Sequence, residues 1–540
     1  MNLQNVTSLG TGPGGANDGY LDLYYQAGGQ INLASLQSIG AQAANSEDVV
    51  RFFFQDADNY NLPANSAVNA EFYLSTGATL DLPNLTSLSG AGHSPVISLD
   101  DNATVNAPSL VTLTSTTLTL NATTTFNSAP LTSIDNSRIF LNGAFTFDRV
   151  AAAEYRNSRS AHEEVFAARG GATLDLSSLQ RIFVDTNGSW DKTIVADNGT
   201  IDLSGVTALD IDPGNSGEIF IRAQAGGTIN LSSVLSLNST GGSGRVDFTV
   251  GENSQLLLGN YVAAAPNVSL RLTHAAAEVI VGGSVLQNDS GQFTAVDGAT
   301  LRVEGDLFYQ TTTEANFAAD GARVHLNGQG IQYVEAGGVD TGLAGTGVGN
   351  FGLGQLEIGQ EGTPTSVHVI DLFDNGNRSG TPGEFEALYL GGVGGDDGLV
   401  INTGSLLVLN DVNVYARLDG ALVDLQAVFG DLVDDTEASA VFFLGGYLAR
   451  TAPAVGDYNF DGAVDVDDYQ AWKDAFGSTE DLAADGNQDG VVDTADFTVW
   501  RDAFAAAEAA STRAAVPEPV GVGLFVVAAL LSLPQRGRLR

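Results

Sequence analysis

Over most of the chain, apolar and polar residues alternate in short runs, and glycine or asparagine closes each run. In "GGTINLSSVLSL" (226–237), Ile229 and Leu231 share one side by the two-residue period of a strand, and Asn230 faces the other. The figure recurs in "GGQINLASLQSI" (28–39), "GATLDLPNLTSL" (77–88), "GATLDLSSLQRI" (171–182) and "NGTIDLSGVTAL" (198–209). "NATVNAPSLVTL" and "TTTFNSAPLTSI" are faded copies, and "GQFTAVDGATLRV" and "ANFAADGARVHL" carry it on more weakly. A second short strand precedes many copies, as in "EFYLST", "EVFAAR" and "EIFIRAQ". The unit is therefore strand, glycine turn, strand, turn. Threonine and β-branched residues favour the strand, and glycine supplies the positive φ of a tight corner.

No single unit can bury its apolar side alone, so the units must stack into a continuous core. The expectation is a mainly β chain in which residues 1–349 form a right-handed parallel β-helix, or solenoid. "LDLSSLQRI" also resembles the core of a leucine-rich repeat. That fold would require a recurrent return segment and a fixed asparagine ladder, and neither recurs. From about Asn350 the strands lie among glycine-rich turns ("SVHVIDLFDNGN", "GGVGGDDG"), so 350–450 is read as a β-rich terminal or capping segment. It supplies either the last coils or a cap for the open end.

Stacking would align Asn32, Asp81, Asp175, Asp202 and Asn230 on one outer face. Carboxylates so placed suit a polysaccharide lyase or hydrolase. Solvated polarity fits better, because Asp alternates with Asn and no basic residue recurs beside them. The five histidines (His93, His162, His274, His325, His368) are scattered.

Composition narrows the function classes. The chain has 540 residues, 65 of them glycine, and no cysteine, so no disulfide or thiolate site holds it. Lys and Arg number 22 against 64 Asp and Glu, a formal charge of -42. Such a surface repels a phosphate backbone and argues against nucleic acid. It suits cations, basic partners or solubility outside the cell.

The acids are most crowded in "DYNFDGAVDVDD" (457–468). Calcium takes six to eight oxygens, and a twelve-residue loop supplies them from positions 1, 3, 5, 7, 9 and 12. Those positions are Asp457, Asn459, Asp461, the Ala463 carbonyl, Asp465 and Asp468, with Gly462 at the sharp turn and Val464 as the apolar pin. "DGNQDGVVDTAD" repeats the arrangement with Asp485, Asn487, Asp489, the Val491 carbonyl, Asp493 and Asp496, around Gly490 and Val492. Each loop runs into a matching amphipathic stretch, "YQAWKDAFG" and "FTVWRDAF". Two calcium ions are the expected cofactors. The two loops should repel without metal and fold on binding it.

Two features set the pair apart from EF-hands. Position 12 is Asp rather than the usual Glu, and "TAPAVG" (451–456) cannot form an entering helix. A duplicated loop with only an exiting helix resembles a type I dockerin over Asp457–Phe504. That resemblance implies calcium-dependent docking to a cohesin-like protein in an extracellular assembly. The implied contacts fall on Val466, Asp467, Lys473 and Asp474 in the first unit, and on Thr494, Ala495, Arg501 and Asp502 in the second. The family's usual Ser-Thr pair at loop positions 10 and 11 is absent. Trp472 and Trp500 are read as core residues that let the two copies pack together.

At the far end, "VPEP" precedes an apolar run, Val520–Leu533, and a basic tail, "PQRGRLR". As a helix the run spans roughly 20 Å, short of the ~30 Å hydrocarbon core. The ending resembles a PEP-CTERM sorting signal, with Pro517, Glu518 and Pro519 as its motif. This implies processing by an exosortase-type membrane protease and transient anchoring at the envelope. At the other end, "MNLQNVTSLG" matches "INLASLQSIG" and lacks a basic n-region and an apolar h-region. The chain is read as starting inside a repeat, with its export signal upstream.

The divisions expected are solenoid (1–349), β-rich cap (350–450), dockerin-like module (451–510), linker (511–515) and a hydrophobic helical sorting segment (516–540). The function expected is that of a secreted, cell-surface structural or adhesive repeat protein. A dockerin-bearing polysaccharide-degrading enzyme with a β-helix catalytic domain is the alternative. A calcium sensor is disfavoured, since the single methionine gives no Met-rich target groove.

Overall fold

The computed structural model describes residues 3–514, apart from 11–18, 27–28, 30, 41–47, 186–187, 213–215, 240–243, 264–266, 290, 346–348, 379–384, 433–437, 480–481 and 488. Pro517, Glu518, Pro519 and the apolar run after them lie outside the described residues. Among the described residues, no helix is long and apolar enough to cross a membrane.

The molecule is mainly β, and long parallel sheets dominate it. In the regular repeats a coil gives one strand to each of three walls. In the first wall, Glu163–Arg169, Lys192–Asp197, Glu218–Gln224 and Arg245–Val250 pair in parallel, one coil after another. The second wall carries Thr173–Asp175, Thr200–Asp202, Thr228–Leu231 and Gln255–Leu258. The third carries Glu154–Asn157, Arg181–Val184, Ala208–Ile211 and Ser236–Ser239. The strands read from "EVFAAR" and "EIFIRAQ" thus line the first wall, and the repeated "LDL" and "INL" runs line the second.

Alternation does what the two-residue period requires. Leu174, Ile201, Ile229 and Leu256 stack inside at 0–1% exposure. Each such side chain contributes roughly 1.5–3 kcal/mol on full burial. Between the first two walls the chain turns through residues of positive φ, such as Gly171 (φ +87) and Asn198 (φ 49). Asparagine tolerates this region better than other side chains.

The walls are not uniform. The second wall is broken between Thr125–Ser128, the last strand of a four-stranded sheet, and Thr146–Phe147, the first of the next run. Phe126 and Phe147 carry the core across, with ring centroids 6.3 Å apart. Later, Phe317–Leu326 rounds a corner as one strand. It pairs with Gln292–Ala295 of the first wall at its start and with Thr300–Val303 of the second at its end.

Within 350–450 the parallel ladders continue. Leu353–Ile358 pairs with Phe317–Leu326 and then with Leu399–Ile401. Antiparallel strand pairs enter at the end, between Val414–Leu418 and Ala421–Asp424 and between Ala440–Phe443 and Gly446–Ala449. A helix, α1 (Leu425–Leu432), lies between these hairpins and buries Leu425 and Phe429.

Two further helices follow, α2 (Val466–Ala475) and α3 (Thr494–Ala514). The second, α3, runs on through 511–514, into the residues read as the linker. The Ala-rich stretch "AAAEAASTRA" has high helix propensity and no Gly or Pro to stop it.

Candidate metal centre

The two acidic loops sit at the starts of α2 and α3 and have matching internal bonding. In the first, Asp457 Oδ2 accepts the Gly462 N–H at 3.1 Å; in the second, Asp485 Oδ2 accepts that of Gly490 at 2.8 Å. Both glycines have φ near +87, the left-handed conformation the sharp turn needs. Asn459 and Asn487 each accept the N–H two residues on, at 2.9 and 3.1 Å, and Asp461 and Asp489 do the same for Ala463 and Val491.

Position 12 closes each loop. Asp468 Oδ2 accepts the Asp465 N–H at 2.7 Å, while Asp465 caps α2 by accepting the Asp467 N–H at 2.8 Å. Asp496 and Asp493 repeat this at 2.7 and 2.6 Å. Asp468 and Asp496 are fully buried.

The helices then link the loops crosswise. Trp472 Nε1 donates to the Asp493 carbonyl at 2.7 Å, and Trp500 Nε1 donates to the Asp465 carbonyl at 2.9 Å. Tyr458, Leu482, Ala484, Val492 and Trp500 form the small core, with Val464, Trp472 and Phe497 packed against it. The eight positions Val466, Asp467, Lys473, Asp474, Thr494, Ala495, Arg501 and Asp502 are all exposed.

The electrostatics are unfavourable as the loops stand. Burial pushes the Asp485 carboxyl up to about 6, with Asp496 adding to the rise and the Gly490 N–H opposing it. Burial likewise raises Asp457, against hydrogen bonds from Ser439 and Gly462. Asp457 Oδ1 is buried with no hydrogen-bond partner. Among the described residues, no three Asp, Glu or His side chains form a ready-made ligand set. The reason is local: most of the loop oxygens are turned onto their own backbone N–H groups. Carboxylate and amide oxygens keep further lone pairs, and Asp457 Oδ1 has no other use. The donor set is all oxygen, which fits a hard divalent cation.

The outer ladder of the solenoid differs from expectation. Asp175, Asp202 and Asn230 do stack in register. Asp81 stacks instead with Asn61, Asn106 and Asn127 in the separate sheet before the break in the wall. Asn106 and Asn127 each donate to the residue of the preceding coil at 2.8 Å. Asp175, Asp202, Asn230 and Asn32 all accept the backbone N–H two residues on, at 2.9–3.1 Å, and so form the corner after the strand.

Other titratable groups are tied separately. His93 contacts Glu71 at 2.7 Å, and His162 contacts Asp191 at 2.9 Å. Lys192 is buried on the Arg159 and Ala161 carbonyls and Glu163. Two fully buried acids hold the turn at 371–377: Glu335 accepts the Phe373 N–H, and Glu386 accepts those of Asn375 and Asn377. Burial is the main cause that pushes Glu335 up to about 8 and Glu386 up to about 7. Neither acid is open to a substrate.

Sequence reasoning missed the contact between module and solenoid. Ser439 and Phe460 carry part of it, with Leu482 against Gly404 and Gly490 against Gly362, and none of these stands at a position read as a ligand. No family model, curated protein or solved structure matches the chain.

Proposed function

We propose that the chain is a secreted, cell-surface structural or adhesive repeat protein whose paired loops bind two calcium ions and dock it to a cohesin-like partner. The observation that carries this reading is the duplicated loop, whose two copies share most of their hydrogen bonds, with one buried carboxylate oxygen, Asp457 Oδ1, left over in the first. Asp457, Asn459, Asp461, the Ala463 carbonyl, Asp465 and Asp468 would hold one ion. Asp485, Asn487, Asp489, the Val491 carbonyl, Asp493 and Asp496 would hold the other. The eight exposed positions would meet the partner.

The solenoid acts as the elongated spacer or adhesive body, with extracellular polysaccharide as a candidate contact. The tail motif Pro517-Glu518-Pro519 directs exosortase-type processing at the envelope. The polysaccharide-degrading alternative is disfavoured because its candidate acids Asp175 and Asp202 serve corner turns.

The test is a pull-down from envelope and secreted fractions with the full chain and calcium, eluted by chelator. Recovery of a partner in calcium alone, lost in a D461A/D489A variant, supports the reading. Equal recovery with and without calcium rejects it.

A further inference from the structure

The two loops are near-copies, yet among the described residues a side-chain hydrogen bond joins the first to the solenoid and none is seen for the second. Ser439 lies just before the antiparallel hairpin that ends the solenoid. Its Oγ donates to Asp457 Oδ2 at 2.8 Å, and its N–H donates to the Phe460 carbonyl at 2.7 Å. Phe460, at loop position 4, has φ 57 and turns its ring onto Tyr447, centroid to centroid 5.2 Å. It packs there beside Leu406, Val408, Ala440 and Ala449 of the last coils.

The link to the module is also pinned. Gly456 is so close to α3 that a Cβ on it would lie 3.0 Å from that of Ala503. The second loop meets the solenoid by packing, with Gly490 close to the Gly362 carbonyl and Leu482, just before the loop, against Gly404; among the described residues it receives no hydrogen bond corresponding to that from Ser439.

Asp457 is the position-1 ligand. With Oδ2 held by Ser439 and Gly462, its other oxygen, Oδ1, is buried and unpartnered. We infer that the first metal loop is a composite site: Ser439 of the solenoid is a positioning residue for Asp457, and filling of that loop is linked to docking of the module on the solenoid's end. This rests on the reading of the loops as calcium sites. Linkage is reciprocal, so whatever loosens the joint weakens this ion, and loss of this ion loosens the joint. The second loop stands outside the linkage.

The experiment titrates calcium into the full chain against a chromophoric chelator. A D489A background isolates the first loop and a D461A background the second. Ser439→Ala should weaken the first loop by roughly tenfold, as outer-shell changes at metal sites do, and leave the second unchanged. Ser439→Thr should restore it. Phe460→Ala, which alters none of the proposed ligands, should weaken the same loop. In the unaltered chain, chelation should raise proteolytic cleavage within 451–456.

Unchanged affinity of the first loop in both Ser439→Ala and Phe460→Ala, or an equal loss in the two loops, overturns the inference and leaves the calcium reading standing. Absence of calcium binding in the unaltered chain overturns both.

Discussion

A solenoid corner at Asp202 and the first acidic loop at Asp461 make the same bond: a side-chain oxygen accepts the backbone N–H two residues on, at 3.0 and 2.9 Å. In the solenoid this is the whole task. Asp175, Asp202 and Asn230 each make this bond at successive corners, and Asn does it as Asp does. In the first loop, five aspartates fall between 457 and 468, more oxygen than the turn geometry can use. Asp457 Oδ1 is the visible remainder. The comparison teaches that a single acid in a turn is used up by the turn, whereas several acids in one turn leave a buried oxygen without a donor.

The largest expected effect separates the two regions outright. Chelation of the full chain should abolish the helical signal of the module while the solenoid keeps its β signature, because paired acid loops over a small core repel without metal. Far-UV circular dichroism, with tryptophan emission from Trp472 and Trp500, reads this. Simultaneous melting of both regions would break the comparison.

A medium effect belongs to the solenoid's last coils. The ordinary value for Glu335 is 4.5, and burial raises it to about 8. The fold therefore favours the neutral acid, and this contribution is complete below about pH 4.5 and lost as pH rises towards 8. Glu386, at about 7, acts in the same direction. Thermal melting of the solenoid between pH 4.5 and 8.5 should show this decline, and E335Q should flatten it.

The smallest effect sharpens the comparison most. Asp202→Ala should cost the solenoid roughly 0.5–1.5 kcal/mol, the worth of one turn hydrogen bond, and Asp202→Asn close to nothing. Asp461→Asn should instead lower calcium affinity measurably, since there the charge matters. Equal tolerance of Asn at both positions would mean that the loops, too, are only turns.

Much of this was legible in the sequence, for particular reasons. Ile229 and Leu231 announce the inner face because strand alternation is local, and the two turn loops are legible as a duplication because their acids and glycines fall at matching places within twelve residues. The break between Thr125–Ser128 and Thr146–Phe147 was not legible, since Phe126 and Phe147 keep the apolar pattern while backbone pairing lapses. Hence Asp81 was grouped with Asp175 although they belong to different sheets. Ser439 was invisible for another reason. Its partner Asp457 is 18 residues away, and a serine before a hairpin carries no pattern of its own.

The strand that rounds a corner has a mechanical consequence. Where each wall has its own strand, a pull along the chain can peel one wall's hydrogen bonds before loading the next. Phe317–Leu326 bonds into two walls without a turn between them, and Leu353–Ile358 pairs alongside it. Peeling there must break both walls together. A load applied through the module would enter at the last coils and reach this doubly bonded pair before the bulk of the repeats, so these two strands should act as the clamp that shields the coils behind them.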